Sequence, residues 1–232
     1  MKSKVLGIIC ARAGSKGIKN KNLLKINGKT LLEITISQAK RSKLIDRLII
    51  STDSKKMIEI AKKLKVEVPF IRPAHLSTDT AKEWNVWQHA IKFMDVNLNY
   101  KADILACVPI TSPMRSHKDI DLCIKEFQKD KSRPLITVSD SKRNPFFNMV
   151  KLNKKKQYDL VIKKKKYSRR QDAPKVYDVS TIAFISPCKF VLNNDHLFAK
   201  GVRALKFDSE KSLDIDSLHE YKIAKLYLAK IR

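Results

Sequence analysis

The chain has 232 residues, 43% of them hydrophobic, which is ample for the core of one large domain and excludes extended disorder as a default. Lys and Arg number 49 against 23 Asp and Glu, a formal charge of +26 at pH 7 that invites a polyanion partner. Yet 38 of the 49 basic residues are lysine, whereas groove and phosphate recognition in nucleic acids favours the bidentate fork of Arg, so a basic surface around a polyphosphate substrate is the better expectation.

Residues 5–10 form a continuous apolar run ending in a Gly-containing loop, the pattern of a buried parallel strand. Residues 30–41 place Leu31, Leu32, Ile34, Thr35 and Ala39 on one helix face. A short strand over 47–51 follows, then a helix capped by Ser54 and carried by Met57, Ile60, Ala61 and Leu64, then a third strand over 66–70. This βαβαβ order continues with a helix over 81–95, a strand over 104–108 and a helix over 118–129. Residues 135–139 open a different region, in which the short runs 147–152 and 158–162 alternate with lysine blocks at 154–156 and 163–166, which reads as a hairpin-rich sub-lobe over 140–178 with solvated tips. A core strand over 182–185 and an amphipathic helix over 216–232 close the chain. The expected fold is therefore a three-layer α/β/α, Rossmann-like arrangement with a mostly parallel sheet, a single domain over 1–232 carrying that insertion.

No apolar run approaches the ~20 residues of a membrane span, and the opening MKSKVLGIICARAG lacks the apolar core and cleavage site of a signal peptide, so a soluble, cytoplasmic chain with no membrane partner is expected. Cys10, Cys107, Cys123 and Cys188 lie far apart in apolar stretches, form no CxxC pair of the zinc or redox kind, and read as buried reduced thiols. The histidines show no ligand spacing, and Trp84 and Trp87, three apart on a helix, read as core or interface rather than as a stacking platform.

Ligands of an open α/β sheet bind beyond the carboxyl ends of its strands. The loop after the first strand, Ala11 to Asn22, combines Gly14 and Gly17 with Ser15, Arg12, Lys16, Lys19 and Lys21, so that backbone N–H groups approach an anion while cations neutralise it. It fits neither GxxxxGK[ST] nor GxGxxG, which argues against ordinary nucleotide hydrolysis and nicotinamide chemistry. Near the other end, Asp214 and Asp216 flank Ile215; in an extended segment both carboxylates share one side, a donor pair suited to Mg²⁺, although Asp216 equally suits a helix cap. Ser51 to Asp53, Ile71 to Pro73 and Thr111 to Pro113 lie at further strand ends, with Asp53 and Ser54 also plausible helix caps, and Arg169 to Pro174 pairs two guanidinium groups with an amide suited to an acidic sugar.

In this order and spacing, ARAGSKGIKNKN, LIISTDS, IRPAHLSTDTA, TSPMR, RRQDAP and SLDIDS resemble the acylneuraminate cytidylyltransferase family, the synthetases of CMP-activated nonulosonic acids, over nearly the whole chain. The resemblance implies transfer of CMP from CTP to the anomeric hydroxyl of an acidic nine-carbon sugar, with release of pyrophosphate and a requirement for Mg²⁺. It implies triphosphate contacts from Arg12, Ser15 and Lys21, with Ala11 beside them, and cytidine contacts from Asn22 and Arg72 with Thr111 and Ser112 at the same end. It further implies metal ligation by Asp214 and Asp216, sugar contacts from Arg170, Gln171, Tyr177 and Ser180, and a homodimer in which the hairpin sub-lobe of one subunit closes over its partner's sugar site. Two departures stand out: Pro109-Ile110 replaces a Gln-Pro pair, removing an amide, and Tyr177 to Thr181 replaces the Asn-Gly that usually follows RRQDAP. A nucleotidyltransferase of the same superfold acting on another sugar acid or a sugar phosphate, and a non-catalytic polyanion-binding protein, are the competing expectations.

Overall fold

The computed structural model describes residues 3–14, 17–163 and 167–229. The first half of the chain runs β1 (Val5–Cys10), a small hairpin of β2 (Lys25–Ile26) and β3 (Lys29–Thr30), α1 (Leu31–Lys40), β4 (Arg47–Ser51), α2 (Lys55–Lys63) and α3 (Glu83–Leu98). The second half runs β5 (Ile104–Cys107), α4 (His117–Lys129), β6 (Leu135–Asp140), a hairpin of β7 (Val150–Leu152) and β8 (Tyr158–Leu160), β9 (Tyr177–Pro187), α5 (Cys188–Asn193), β10 (Arg203–Lys206) and α6 (Leu218–Ala229).

Six strands form one sheet in the order β10-β6-β9-β5-β1-β4. Every neighbouring pair is parallel except those of β9, which runs antiparallel between β5 and β6. Alternation along the strands decides the layers: Val5 and Ile9 of β1 and Ile104 and Ala106 of β5 face α1, α2, α4 and α6, whereas Leu6, Ile8, Leu105 and Cys107 face α3 and α5. With both faces covered, the central strands are apolar at every position rather than at every second one. Trp84 and Trp87 are buried in the second layer, as core residues.

Local chemistry fixes the helix starts. Thr30 and Ser116 each complete a capping box, with Glu33 and Asp119, and the Ser54 hydroxyl accepts the Met57 N–H at 3.4 Å. The expected strand over 66–70 does not form. Pro69 has no N–H to give to a ladder, so this segment meets β4 at one isolated bridge, Glu67 to Ile49, and a second bridge, Ile71 to Thr52, lies just beyond both. The core strand expected over 182–185 belongs to the eleven-residue β9, whose first three residues, Tyr177, Asp178 and Val179, are exposed. The β2–β3 hairpin rests on Asn27 and Gly28, both in the left-handed region with φ of 49° and 80°, the conformation an Asn-Gly turn supplies.

Candidate functional site

The loop after β1 is held at three points. The buried Ala11 donates its N–H to Ser51 O at 3.0 Å, continuing the β1–β4 ladder. Ala13 donates its N–H to Asp53 Oδ1 at 2.8 Å, and the buried Asn22 donates Nδ2–H to Arg12 O at 3.2 Å. Asp53 thus fixes the loop, and Ser54 is the helix cap. Held this way, the loop forms one wall of a cleft of about 420 Å³ at the carboxyl ends of the strands, lined by Arg12, Lys21, Asn22, Arg72 and Thr111. Arg12 pairs with Asp79 at the rim. Arg72 is buried and donates Nε–H to Ser51 Oγ at 3.0 Å and Nη2–H to Ser51 O, so its guanidinium is fixed in the wall. Ser15, expected at the triphosphate, lies outside the described residues.

The Asp-x-Asp segment closes the same end. Ile215 is fully buried and donates its N–H to Thr111 O at 2.9 Å, while Asp216 Oδ1 accepts from Lys21 Nζ at 2.9 Å. Ser217, not Asp216, caps α6: its hydroxyl and N–H both engage Glu220. Asp214 Oδ1 is buried with no hydrogen-bond partner. Burial, with the Asp216 charge behind it, raises the Asp214 pKa, and the hydroxyls of Thr111 and Thr181 and the Lys21 ammonium pull the other way. An orphaned carboxylate oxygen beside a second carboxylate is a hard-oxygen donor pair that fits Mg²⁺.

A bulge in β9 builds the opposite wall. Leu135 of β6 pairs with Ile185 and Thr137 with Ser180, so the register shifts over the stretch containing Thr181. Adjacent strand residues face opposite ways, and this separates Ser180, expected at the sugar, from Thr181. Ser180 is buried, with its hydroxyl on Thr137 Oγ1 at 2.8 Å, and lines neither this cleft nor the one below, whereas Thr181 lines the cleft. Ser112 is likewise fully buried and supports the site from behind through Thr181 Oγ1 at 2.7 Å. Arg115, 2% exposed, gives Nη1–H to the carbonyls of Thr181 and Ile182 at 3.2 and 3.3 Å and Nη2–H to Thr35 Oγ1 at 3.2 Å, satisfying groups that the bulge frees from the ladder.

Arg170, Gln171 and Tyr177 do not join this cleft. They line a second one, of about 510 Å³, with Asn144 and Lys206. Arg170 reaches Ser141 O at 2.7 Å, while Arg169 forms a bidentate pair with Asp172 at 2.9 and 3.1 Å and is committed to it. Sequence reading missed Thr181, Glu83 and Cys10, all in the first cleft. The register shift in β9 sets Thr181 apart from Ser180, and nothing local in the sequence marks any of the three.

The profile of the cytidylyltransferase family matches residues 6–220. The chain belongs to that family. It is 36% identical over 228 residues to the post-translational flagellin modification protein B of Campylobacter coli, spanning 97% of this chain and 95% of the relative. It is 34% identical to the CMP-N,N'-diacetyllegionaminic acid synthase of Campylobacter jejuni, spanning 98% of this chain and 96% of that one. Among solved structures, CMP:2-keto-3-deoxy-manno-octonic acid synthetase complexed with CTP superposes with a TM-score of 0.73 at 14% identity, over 99% of this cytidylyltransferase and 100% of the other chain, a likeness of fold. Among the described residues, no helix of this cytidylyltransferase is long and apolar enough to cross a membrane.

Proposed function

We propose that this cytidylyltransferase transfers CMP from CTP to the anomeric hydroxyl of a nonulosonic acid and releases pyrophosphate. The observation that carries the reading is the convergence of Arg12, Lys21, Asn22, Arg72 and Thr111 on one cleft, with Lys21 joined to the Asp216 carboxylate. Nucleotidyl transfer asks for neutralised charge and in-line placement more than for covalent catalysis. Arg12 and Lys21 neutralise the leaving pyrophosphate as the bond from the α-phosphorus to the bridging oxygen breaks and the sugar oxygen takes its place. Asn22 and Arg72, fixed by Arg12 O and Ser51, orient the nucleoside. Asp214 and Asp216 hold Mg²⁺, which supplies Lewis-acid stabilisation of phosphate oxygens. Lys21 holds Asp216 in place until the cation arrives.

The acceptor site is assigned to the second cleft, with Arg170 as the carboxylate clamp and Gln171 and Tyr177 beside it. Its separation from the nucleotide cleft within one chain, and the exposed Val150, Leu152 and Tyr158 on the β7–β8 hairpin, support a homodimer in which the 140–178 segment of one subunit serves its partner's nucleotide. The decisive experiment measures pyrophosphate release with Mg²⁺ across a panel of nucleoside triphosphates and acceptors. CTP with a nonulosonic acid should give the highest rate. A higher rate with a sugar phosphate, or release independent of any acceptor, would overturn the reading.

A further inference from the structure

Two of the four cysteines, Cys10 and Cys107, far apart in sequence, do not stay apart in the fold. Ile8 and Cys107 are register partners on the neighbouring strands β1 and β5, and Cys10 follows Ile8 on the same face. The first residue of α3, Glu83, covers that face. The ligand atoms of Cys10, Glu83 and Cys107 consequently lie within 4.8 Å of one another, and among the described residues this is the sole three-residue cluster of such donors.

The cluster is organised as well as close. Glu83 Oε1 accepts from Cys107 Sγ at 3.5 Å and from Trp87 Nε1 at 3.4 Å, so a buried indole holds the carboxylate on the thiol. Such support from a group behind the ligand is what fixes donor orientation in metal sites. Cys107 is fully buried, whereas Cys10 is partly open and, with Glu83, faces the cleft. Zn–S bonds of about 2.3 Å in a tetrahedron place sulfurs about 3.8 Å apart, so a contraction of no more than about 1 Å converts a spacing within 4.8 Å into a coordination sphere.

We propose that Cys10, Cys107 and Glu83 form a site for a thiophilic divalent cation of the zinc class, with one coordination position open to the cleft. Two sulfurs and one carboxylate select a borderline-soft ion, in contrast to the all-oxygen Asp214–Asp216 pair, so one chain separates two classes of metal by donor chemistry. On binding, each thiol releases its proton to solvent and two metal–sulfur bonds form. The resulting site carries one net negative charge, in a wall shared with Arg72 and Lys21.

Cobalt(II) tests this without reference to turnover. The reduced full-length protein, stripped of metal, is titrated with Co²⁺ alone and followed by absorption. One equivalent should produce a thiolate-to-cobalt charge-transfer band and tetrahedral d–d bands that Zn²⁺ erases and Mg²⁺ does not. Cys10→Ser and Glu83→Gln, at positions that are not fully buried, should each weaken Co²⁺ binding about tenfold or more, and Cys107→Ser should abolish the band if it folds. Cys123→Ala should leave the band as it is. No charge-transfer band in the reduced protein, or a band of undiminished affinity in Cys10→Ser, overturns the proposal; so does loss of the two thiols to a disulfide with no metal uptake.

Discussion

A Cβ added at Gly17 would lie 2.6 Å from the main-chain oxygen of Asp216. The loop after β1 and the Asp-x-Asp segment therefore touch backbone to backbone, and that contact places Lys21 within 2.9 Å of the Asp216 carboxylate. Glycine is required here by close approach. Gly17→Ala must push the two segments apart, and since misplacement by about 1 Å can cost up to about a hundredfold in rate, kcat/KM for CTP should fall tenfold or more. Thermal melting should change little, because the contact lies at the open end of the sheet. Kinetics and a melt on the same preparation check both halves, and an unchanged kcat/KM would show that the loop yields without consequence.

Asp214 predicts a separation of stability from activity. Its carboxyl is buried and its pKa is raised above the ordinary 3.8. For an acid whose folded pKa exceeds its unfolded one, the unfolded chain ionises first as pH rises, so the folded state loses stability between the two values and stays penalised above them. Asp214→Asn removes that penalty while keeping the shape. At neutral pH the variant should melt no lower than the native chain and should have lost most turnover, and its relative advantage in stability should vanish once the pH falls below 3.8. Melts at neutral and acid pH, with pyrophosphate release at limiting Mg²⁺, measure this. A variant that stays active there removes Asp214 from the metal site.

Arg115 carries the bulge. Replacing it with Met leaves the buried carbonyls of Thr181 and Ile182 and the Thr35 hydroxyl without their donors. A buried group left unpaired costs about 1–3 kcal/mol, so Arg115→Met should destabilise by about 3 kcal/mol, a fall in Tm on the order of 10 °C for a chain of this size. It should also lower kcat, because Thr181 loses its backing. A Tm within a degree or two of the native value would mean that the bulge is held by its strand neighbours.

These residues show what a sequence exposes and what it hides. β1 and β4 were legible to the residue because an unbroken apolar run bounded by loop chemistry has one reading in an α/β chain. Arg12, Lys21 and Asn22 could be placed at one cleft because they share a single contiguous loop after β1. Glu83, Cys10 and Cys107 were not, since strand order, which sequence does not state, brings β1 beside β5 and α3 over both. The exchange of Ser180 for Thr181 has a narrower cause: a register shift in β9 decides which of two adjacent hydroxyls faces the cleft, and a bulge leaves no mark in composition.

The second cleft gives the sharpest test of acceptor recognition. Arg170 is exposed at its edge, one arm on Ser141 O at 2.7 Å, while its neighbour Arg169 is spent on Asp172 and the cleft's Lys206 on Asp140 at 2.6 Å. Of these three cations, Arg170 alone has no ion pair with a carboxylate in the described contacts. A planar fork binds a sugar carboxylate through two parallel hydrogen bonds, which an ammonium cannot reproduce. Arg170→Lys keeps the charge and loses the fork, so it should cost about 1.5–3 kcal/mol of acceptor recognition, roughly a tenfold to hundredfold fall in kcat/KM for the sugar. The dissociation constant for CTP should stay as it is, because Arg170 lies outside the nucleotide cleft. Steady-state kinetics with varied sugar and calorimetry with CTP separate the two effects. If Arg170→Lys weakens CTP binding and leaves sugar use intact, Arg170 serves the nucleotide, and the second cleft is not the acceptor site.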